Sequence, residues 1–346
     1  MKKRILIGIN RLQSNSIGVS LVSFLNNIDY SRYDIDLVFS DAKTNMLYQL
    51  PKEVNIKMSP LNNKKLSFVE KIKIFRKYSF SLMYDVESTK IMDIVRLASR
   101  NNAVYLHYNY KNIYVVKSKF NDFLLKFKIF DFRKILFPNE MLLNSFADFF
   151  PERNNKLFKL DYMINDKRII SLSNSHVEVD KPNYTTLLVA AGTINDRSKN
   201  YSLMIKMMSN LIKINNHVNL WILGDGPDLV NLKMMVKNLN LSDYIKFFGF
   251  KNNPYPYMKM ADYILSTSDS TDSSTTILEA KVLQKPIIST SADLKNENTY
   301  VVSPDVNVIS TQINEIIKNK MVYIGTNNFW VLNQKILREF DNIINS

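Results

Sequence analysis

The chain has 346 residues, 46% of them hydrophobic, and carries 46 Lys and Arg against 32 Asp and Glu, a formal charge of +14. That length buries a sizeable core and suits two domains of ordinary size better than one. The absence of cysteine excludes disulfide frameworks, thiolate metal sites and thiol redox chemistry, and fits a reducing, cytoplasmic compartment.

The amino terminus, MKKRILIGINRLQ, is basic like a secretion signal, but its apolar run Ile5–Ile9 is shorter than the roughly 7–15 residues such a signal needs, and it reads as a first buried strand. Ile35–Phe39, Val104–Leu106 and Lys134–Phe137 follow as short apolar strands. Residues 1–165 hold 27 Lys and Arg against 15 Asp and Glu, whereas 166–346 hold 19 against 17. The excess points to an anionic partner of the first half, a membrane surface or a nucleic acid, or else to a solvated Lys- and Asn-rich face. Two stretches interleave basic and apolar residues in a way that suits anionic lipid, Lys64–Lys77 and Lys117–Lys134; domain core with exposed lysines is the alternative for both. No run of about 18 apolar residues occurs, so a soluble or peripheral protein is expected.

Ile164–Tyr184 is polar and weakly periodic, which marks it as the linker. Beyond it Leu187–Ala190, Leu220–Leu223, Ile245–Phe248, Tyr263–Leu265, Pro286–Ile288 and Val301–Val302 read as strands, alternating with helical patterns such as Leu203–Ile214 and Leu229–Leu239. This alternation predicts two α/β halves built on parallel sheets covered on both faces. The ending FWVLNQKILREFDNIINS sets Trp330, Leu332, Ile336, Leu337 and Phe340 at helical spacing, a last amphipathic helix.

Chemistry has three candidate places in the second half. The loop Gly192–Asn200 presents Arg197 and Lys199 after a strand, where open α/β sheets bind ligands; the two cations would neutralise phosphate, or are ordinary surface charges. Gly224-Asp-Gly226 ends a buried strand, and its glycines serve either the approach of a ligand to the backbone or merely a tight turn, with no third glycine and no Walker lysine. In Ser273–Leu283 hydroxyls crowd a helix start whose free N–H groups favour an anion such as a diphosphate. The spacing of Thr276-x-x-Glu279 is also that of a capping box, the reading that spacing alone favours. His107, His176 and His217 are too scattered for a metal triad, and no metal site is expected. His107 follows Val104–Leu106 and reads equally as a site residue or a packed one; His176 falls in the linker and His217 before a far-edge strand. No G-x-S-x-G elbow supports a hydrolase triad.

Taken in order, FLNNIDYSRYDIDLV (Phe24–Val38), YLHYN (Tyr105–Asn109), KILFPNEMLLNSF (Lys134–Phe146), GTINDRSKNY, LWILGDGPDL, FFGFKNNPYPYMKMADYIL and TILEAKVLQKPII resemble family 4 of the retaining glycosyltransferases, the glycosyl transferases group 1. The resemblance covers nearly the whole chain. It implies the α/β GT-B fold, two Rossmann-like domains facing across a cleft: 1–164 on the acceptor side, 165–325 holding the nucleotide sugar, and 326–346 a helix packing back on the first domain. It further implies Lys199 at the donor diphosphate, Glu279 at the ribose, Ser274 and Thr275 offering backbone N–H groups to the phosphates, Phe250, Lys251 and Asn253 near the base, and His107 bordering the donor sugar.

Departures from the family pattern accompany it. Thr193 stands where the family usually has Arg, and Thr271 where it has a first Glu eight residues before the second. Gly18 is what remains of a glycine pair in the first loop, and the stretch expected to be Gly-rich reads Ser291-Ala-Asp-Leu294. Arg197, Asp269 or Asp272 stand near enough to substitute. The resulting expectation is a bacterial enzyme that transfers a hexose or N-acetylhexosamine with retention. Its donor would be a nucleotide-diphosphate sugar, a UDP-sugar by preference, and its acceptor a cell-envelope or lipid-linked glycan. It would use no metal or cofactor, bind no nucleic acid, and act in the cytoplasm or peripherally on the membrane's inner face. The alternative is a non-catalytic GT-B subunit that binds a nucleotide, a glycan or a partner glycosyltransferase.

Overall fold

The computed structural model describes residues 2–9, 12, 16–39, 46–58, 73, 76–84, 101–105, 132–268, 275–294, 298–320, 322–325 and 327–346. His107, Asp269, Thr271, Asp272 and Ser274 lie outside them, as does most of Lys64–Lys77 and Lys117–Lys134. Two compact units form, Met1–Ile164 with Trp330–Ser346, and Asn165–Phe329.

The first unit is a parallel sheet of β1 (Lys3–Ile9), β2 (Tyr33–Phe39), β3 (Asn55–Met58), β4 (Phe80–Met83), β5 (Asn102–Tyr105), β6 (Lys134–Phe137) and β7 (Leu157–Lys159), in the order β3-β2-β1-β4-β5-β6-β7. Ile5, Leu6, Ile7 and Ile9 are buried in succession, as a strand covered on both faces requires. Strands β3, β4 and β7 escape the sequence reading. Asp36, fully buried in β2, is the exception to the apolar run: burial raises its pKa, but hydrogen bonds from Lys57 and Tyr78 hold the carboxyl below its ordinary value.

The helix Phe329–Asn345 belongs to this unit from Trp330 onward and meets the amino ends of its strands. Phe340 packs edge-on against Phe24 at 4.7 Å and Phe80 at 6.0 Å, while Tyr33 and Arg32 donate to Asp341. At the helix end the Lys134 ammonium donates to the carbonyl of Ile343 and the Asn101 amide to that of Ile344, satisfying carbonyls that have no helical partner. Trp330 is not on the buried stripe but 66% exposed. Asn333 is buried instead, and its side chain pairs with both the N–H and the C=O of Ile164, where the chain leaves the unit.

The second unit is a parallel sheet of β8 (Thr186–Ala191), β9 (Val218–Leu223), β10 (Ile245–Gly249), β11 (Tyr263–Ser266), β12 (Ile287–Ser289) and β13 (Thr299–Val301), in the order β10-β9-β8-β11-β12-β13. His217 therefore precedes a strand one place in from the edge. On one face the helices Tyr201–Ile214 and Val306–Lys318 bury Met204, Met207, Met208, Leu211, Ile309 and Ile313 together.

The stretch read as a linker is partly helical. Asp166–Ser173 forms a helix capped by the Asn165 side chain, which accepts from Arg168 N–H, and it packs on the helices Tyr255–Met260 and Thr275–Val282. Ile169 is its only buried large apolar residue, so eight residues carry no visible period. Among the described residues no helix is long and apolar enough to cross a membrane.

Candidate functional site

In the second unit strand order reverses at the centre: the chain steps outward from β8 through β9 to β10, then returns to β11 on β8's other side. Loops leaving the carboxyl ends of β8 and β11 consequently part in opposite directions, and such switch points are where open α/β sheets bind ligands. The loop after β8 carries Thr193, Arg197 and Lys199, and the segment after β11 leads to Thr275 and Glu279. The loops after β9 and β10 carry Gly224 and Gly226, then Phe250, Lys251 and Asn253. One sheet edge thus gathers every described candidate of this unit, from stretches 86 residues apart (Thr193 to Glu279). Gly18 stands apart in the first unit, buried in the helix Ser16–Asn27 that follows β1.

The β8 loop is held from both sides. Asn195 caps the short helix Asp196–Lys199 by accepting from Ser198 N–H, and Asn200 ends it in the left-handed conformation at φ 51°. Thr267, just past β11, donates its hydroxyl to the carbonyls of Lys199 and Asn200, 2.9 Å to each, and Ser268 donates to that of Ser198 at 3.0 Å. Lys199 is half-buried on this fixed backbone, whereas Arg197 and Thr193 are exposed. Thr267 and Ser268 were invisible as site elements in the sequence, since two hydroxyls after a strand are ordinary.

The glycines of the β9 loop serve the β8 loop. A Cβ on Gly224 would lie 1.8 Å from the Gly192 carbonyl oxygen, and one on Gly226 would lie 2.2 Å from that of Ile194. Two backbones pack directly here, joined by Gly192 N–H to Leu223 O and Ile194 N–H to Asp225 O. The close approach that these glycines permit is therefore that of the neighbouring loop.

After β10, Phe250 is exposed and the Lys251 ammonium lies 5.4 Å from the centre of the Tyr257 ring, which packs with Trp221 and Phe248. The Asn253 amide is engaged in holding its own loop: it donates to Leu172 O at 2.9 Å and accepts from Tyr255 N–H at 3.3 Å.

Glu279 does not form the capping box. Among the described residues the helix spans Thr275–Val282, so Thr276 lies inside it and directs its hydroxyl to Ala191 O at 3.5 Å. The Glu279 carboxyl is buried, accepting from the Tyr255 hydroxyl at 3.4 Å and from the side chain of Thr275. Burial pushes its pKa up to about 7, and the two hydrogen bonds oppose that rise only in part. A buried carboxyl poised near neutrality at a switch point is a feature that folding alone does not call for.

Comparison with known proteins fits this geometry. Residues 185–319 match the family model described as Glycosyl transferases group 1. Over 126 residues the chain is 24% identical to the lipopolysaccharide core biosynthesis glycosyltransferase LpsE of Rhizobium meliloti, covering 36% of this chain and 35% of that protein. Over 95 residues it is 30% identical to N-acetylgalactosamine-N,N'-diacetylbacillosaminyl-diphospho-undecaprenol 4-alpha-N-acetylgalactosaminyltransferase of Campylobacter jejuni, covering 28% and 25%. These matches thus span about a third or less of the relatives' own length. The fold as a whole resembles the crystal structure of Anabaena HepE in complex with UDP and glucose, with TM-score 0.75, 12% identity and 99% of each chain covered. The architecture is GT-B, and residues 185–319 are similar to the glycosyl transferases group 1.

Proposed function

We propose that the protein is a retaining glycosyltransferase that takes a hexose or N-acetylhexosamine from a UDP-sugar and transfers it to a cell-envelope glycan. The observation that carries this reading is that Lys199, in the segment after β8, and the buried Glu279, on the helix that follows β11, both come after strands that diverge at the switch point. A nucleoside diphosphate sugar offers two anionic phosphates and a ribose diol. Lys199 suits the phosphates, and a carboxylate suits the diol because it accepts two hydroxyl hydrogens at once. Phe250 and Lys251 then border the base, and the backbone at Thr275 adds N–H groups. LpsE is named for lipopolysaccharide core biosynthesis, which supports a cell-envelope acceptor, and HepE is crystallised with UDP and glucose, which supports a UDP-sugar donor.

In the transfer step the bond between the anomeric carbon and the diphosphate oxygen breaks while the acceptor oxygen bonds that carbon from the same face. The acceptor's proton passes to the departing phosphate oxygen. Charge accumulates on the diphosphate, and fixed donors such as Lys199 and the helix start at Thr275 stabilise it without a metal or cofactor. EDTA is accordingly expected to leave the rate unchanged. Incubation with a panel of nucleotide sugars and lipid-linked acceptors, read by product mass and anomeric NMR, tests the reaction. Donor binding without turnover on any acceptor would favour the non-catalytic subunit, for which the exposed Thr193 in place of an arginine speaks.

Lys199→Ala is expected to weaken UDP binding by roughly 1.5–3 kcal/mol, the worth of a charge-assisted hydrogen bond. An unchanged calorimetric affinity would remove Lys199 from the site. The basic excess of the first half supports a peripheral, inner-face location on anionic lipid. Co-sedimentation with anionic vesicles should weaken with salt, and equal binding to neutral vesicles would refute the electrostatic part.

A further inference from the structure

Tyr255 carries the inference furthest. Its hydroxyl lies 3.4 Å from Glu279 Oε1, and both residues are buried. Burial and the neighbouring carboxyl push the phenol's pKa far above its ordinary value, so it remains a hydrogen-bond donor at every pH where the protein works. Besides the pair's own helices, the helix Asp166–Ser173 packs around it and brings Arg168 to Tyr255, and within the Glu279 helix Thr275 hydrogen-bonds the carboxyl from one turn earlier. No other titratable group acts on Glu279 among the described residues. The position of Tyr255 is itself fixed by the loop after β10. Its N–H donates to Asn253 Oδ1, and the Asn253 amide is anchored on Leu172 O and on Ser175 Oγ at 3.3 Å.

We propose that Tyr255 is a positioning residue for the donor: its hydroxyl orients the Glu279 carboxyl and favours its ionised form, so that both carboxylate oxygens are available to the ribose hydroxyls. The loop that borders the base thereby sets the group that receives the sugar of the nucleoside. This rests on the reading of Glu279 as the ribose-binding residue. A protonated carboxyl keeps one oxygen as a donor and loses half its capacity to accept a diol, and burial alone favours that protonated form. Removing the Tyr255 donor leaves burial less opposed.

The test uses the full chain and UDP-glucose, whose diphosphate is esterified at both ends and does not titrate near neutrality. Wild-type affinity by calorimetry should fall as pH drops through neutrality. Tyr255→Phe should move that fall upward by about one pH unit, a loss of roughly fivefold at pH 7 that recovers on the alkaline side. Glu279→Gln should flatten the profile, and adding Tyr255→Phe to it should cost nothing more. An analogue of UDP-glucose lacking both ribose hydroxyls should ignore pH and Tyr255→Phe alike. A Tyr255→Phe profile that coincides with wild type, while Glu279→Gln and the analogue lose affinity, overturns the role of Tyr255 and leaves the ribose reading standing. A loss that is equal at every pH and extends to the analogue assigns Tyr255 to packing only and overturns it too. Wild type that binds the analogue as well as UDP-glucose, or binds neither, overturns the ribose reading itself.

Discussion

Gly224→Ala is expected to destabilise the second unit by about 3 kcal/mol or more, lowering its melting temperature by roughly 6–12 °C. Two costs combine. The backbone of Gly224 sits at φ 142°, a region L-residues rarely enter, and the added Cβ would meet the Gly192 carbonyl oxygen at 1.8 Å, an atom of the main chain that cannot rotate away. Gly249→Ala isolates the first cost, because φ is 69° there and nothing lies within 4 Å of the new methyl; it should lose only about 1 kcal/mol. Gly226→Ala isolates the second, with no positive φ but a contact of 2.2 Å to the Ile194 carbonyl. The β8 loop that Gly224→Ala displaces carries Lys199, so nucleotide affinity should fall with stability. If Gly224→Ala and Gly249→Ala melted alike, the direct packing of the two loops would not be what requires the glycine.

That packing shows where the sequence is informative and where it stops. Gly224-Asp-Gly226 is legible as a strand end needing small residues, but the object that approaches is the Gly192–Ile194 backbone, some thirty residues earlier, and only the pairing of β8 with β9 brings it there. The strand runs around Leu187, Leu220 and Ile264 are legible because parallel strands buried on both faces are continuously apolar. Their order is not. That β11 returns to lie against β8 rests on Tyr263 pairing with Leu188 across 75 residues, and no local period encodes it. The switch point, and with it the reason that Lys199 and Glu279 share one edge, therefore appears only in the fold. Thr276-x-x-Glu279 has the spacing of a capping box, yet Thr276 lies within the helix and the Glu279 carboxyl turns inward to Tyr255, a partner on another helix. Asn165 and Asp166 carry the local signature of a helix start within a polar stretch, but a single buried isoleucine leaves it without an amphipathic pattern to support it.

Glu279→Gln should make the protein more stable and a poorer binder at once. The folded-state pKa of Glu279, pushed up to about 7 from an ordinary 4.5, means that the native protein holds a proton which the unfolded chain releases between those values. Stability linked to this group is fully present below about pH 4.5, declines as pH rises through 7, and is lost above it. A rise from 4.5 to about 7 corresponds to roughly 3 kcal/mol. Glutamine has the same shape and no charge to bury, so the variant should keep that stability at every pH. Its melting temperature should exceed wild type by several degrees on the alkaline side, and the two should converge toward pH 4. Ligand binding should run the other way, since the amide offers one acceptor oxygen where the carboxylate offers two, and UDP affinity at alkaline pH should fall about tenfold or more. Residues kept at a cost to stability are the ones a site requires. An equal or lower melting temperature combined with unchanged affinity would instead make Glu279 an ordinary structural carboxyl, and the ribose would have to be held by another group.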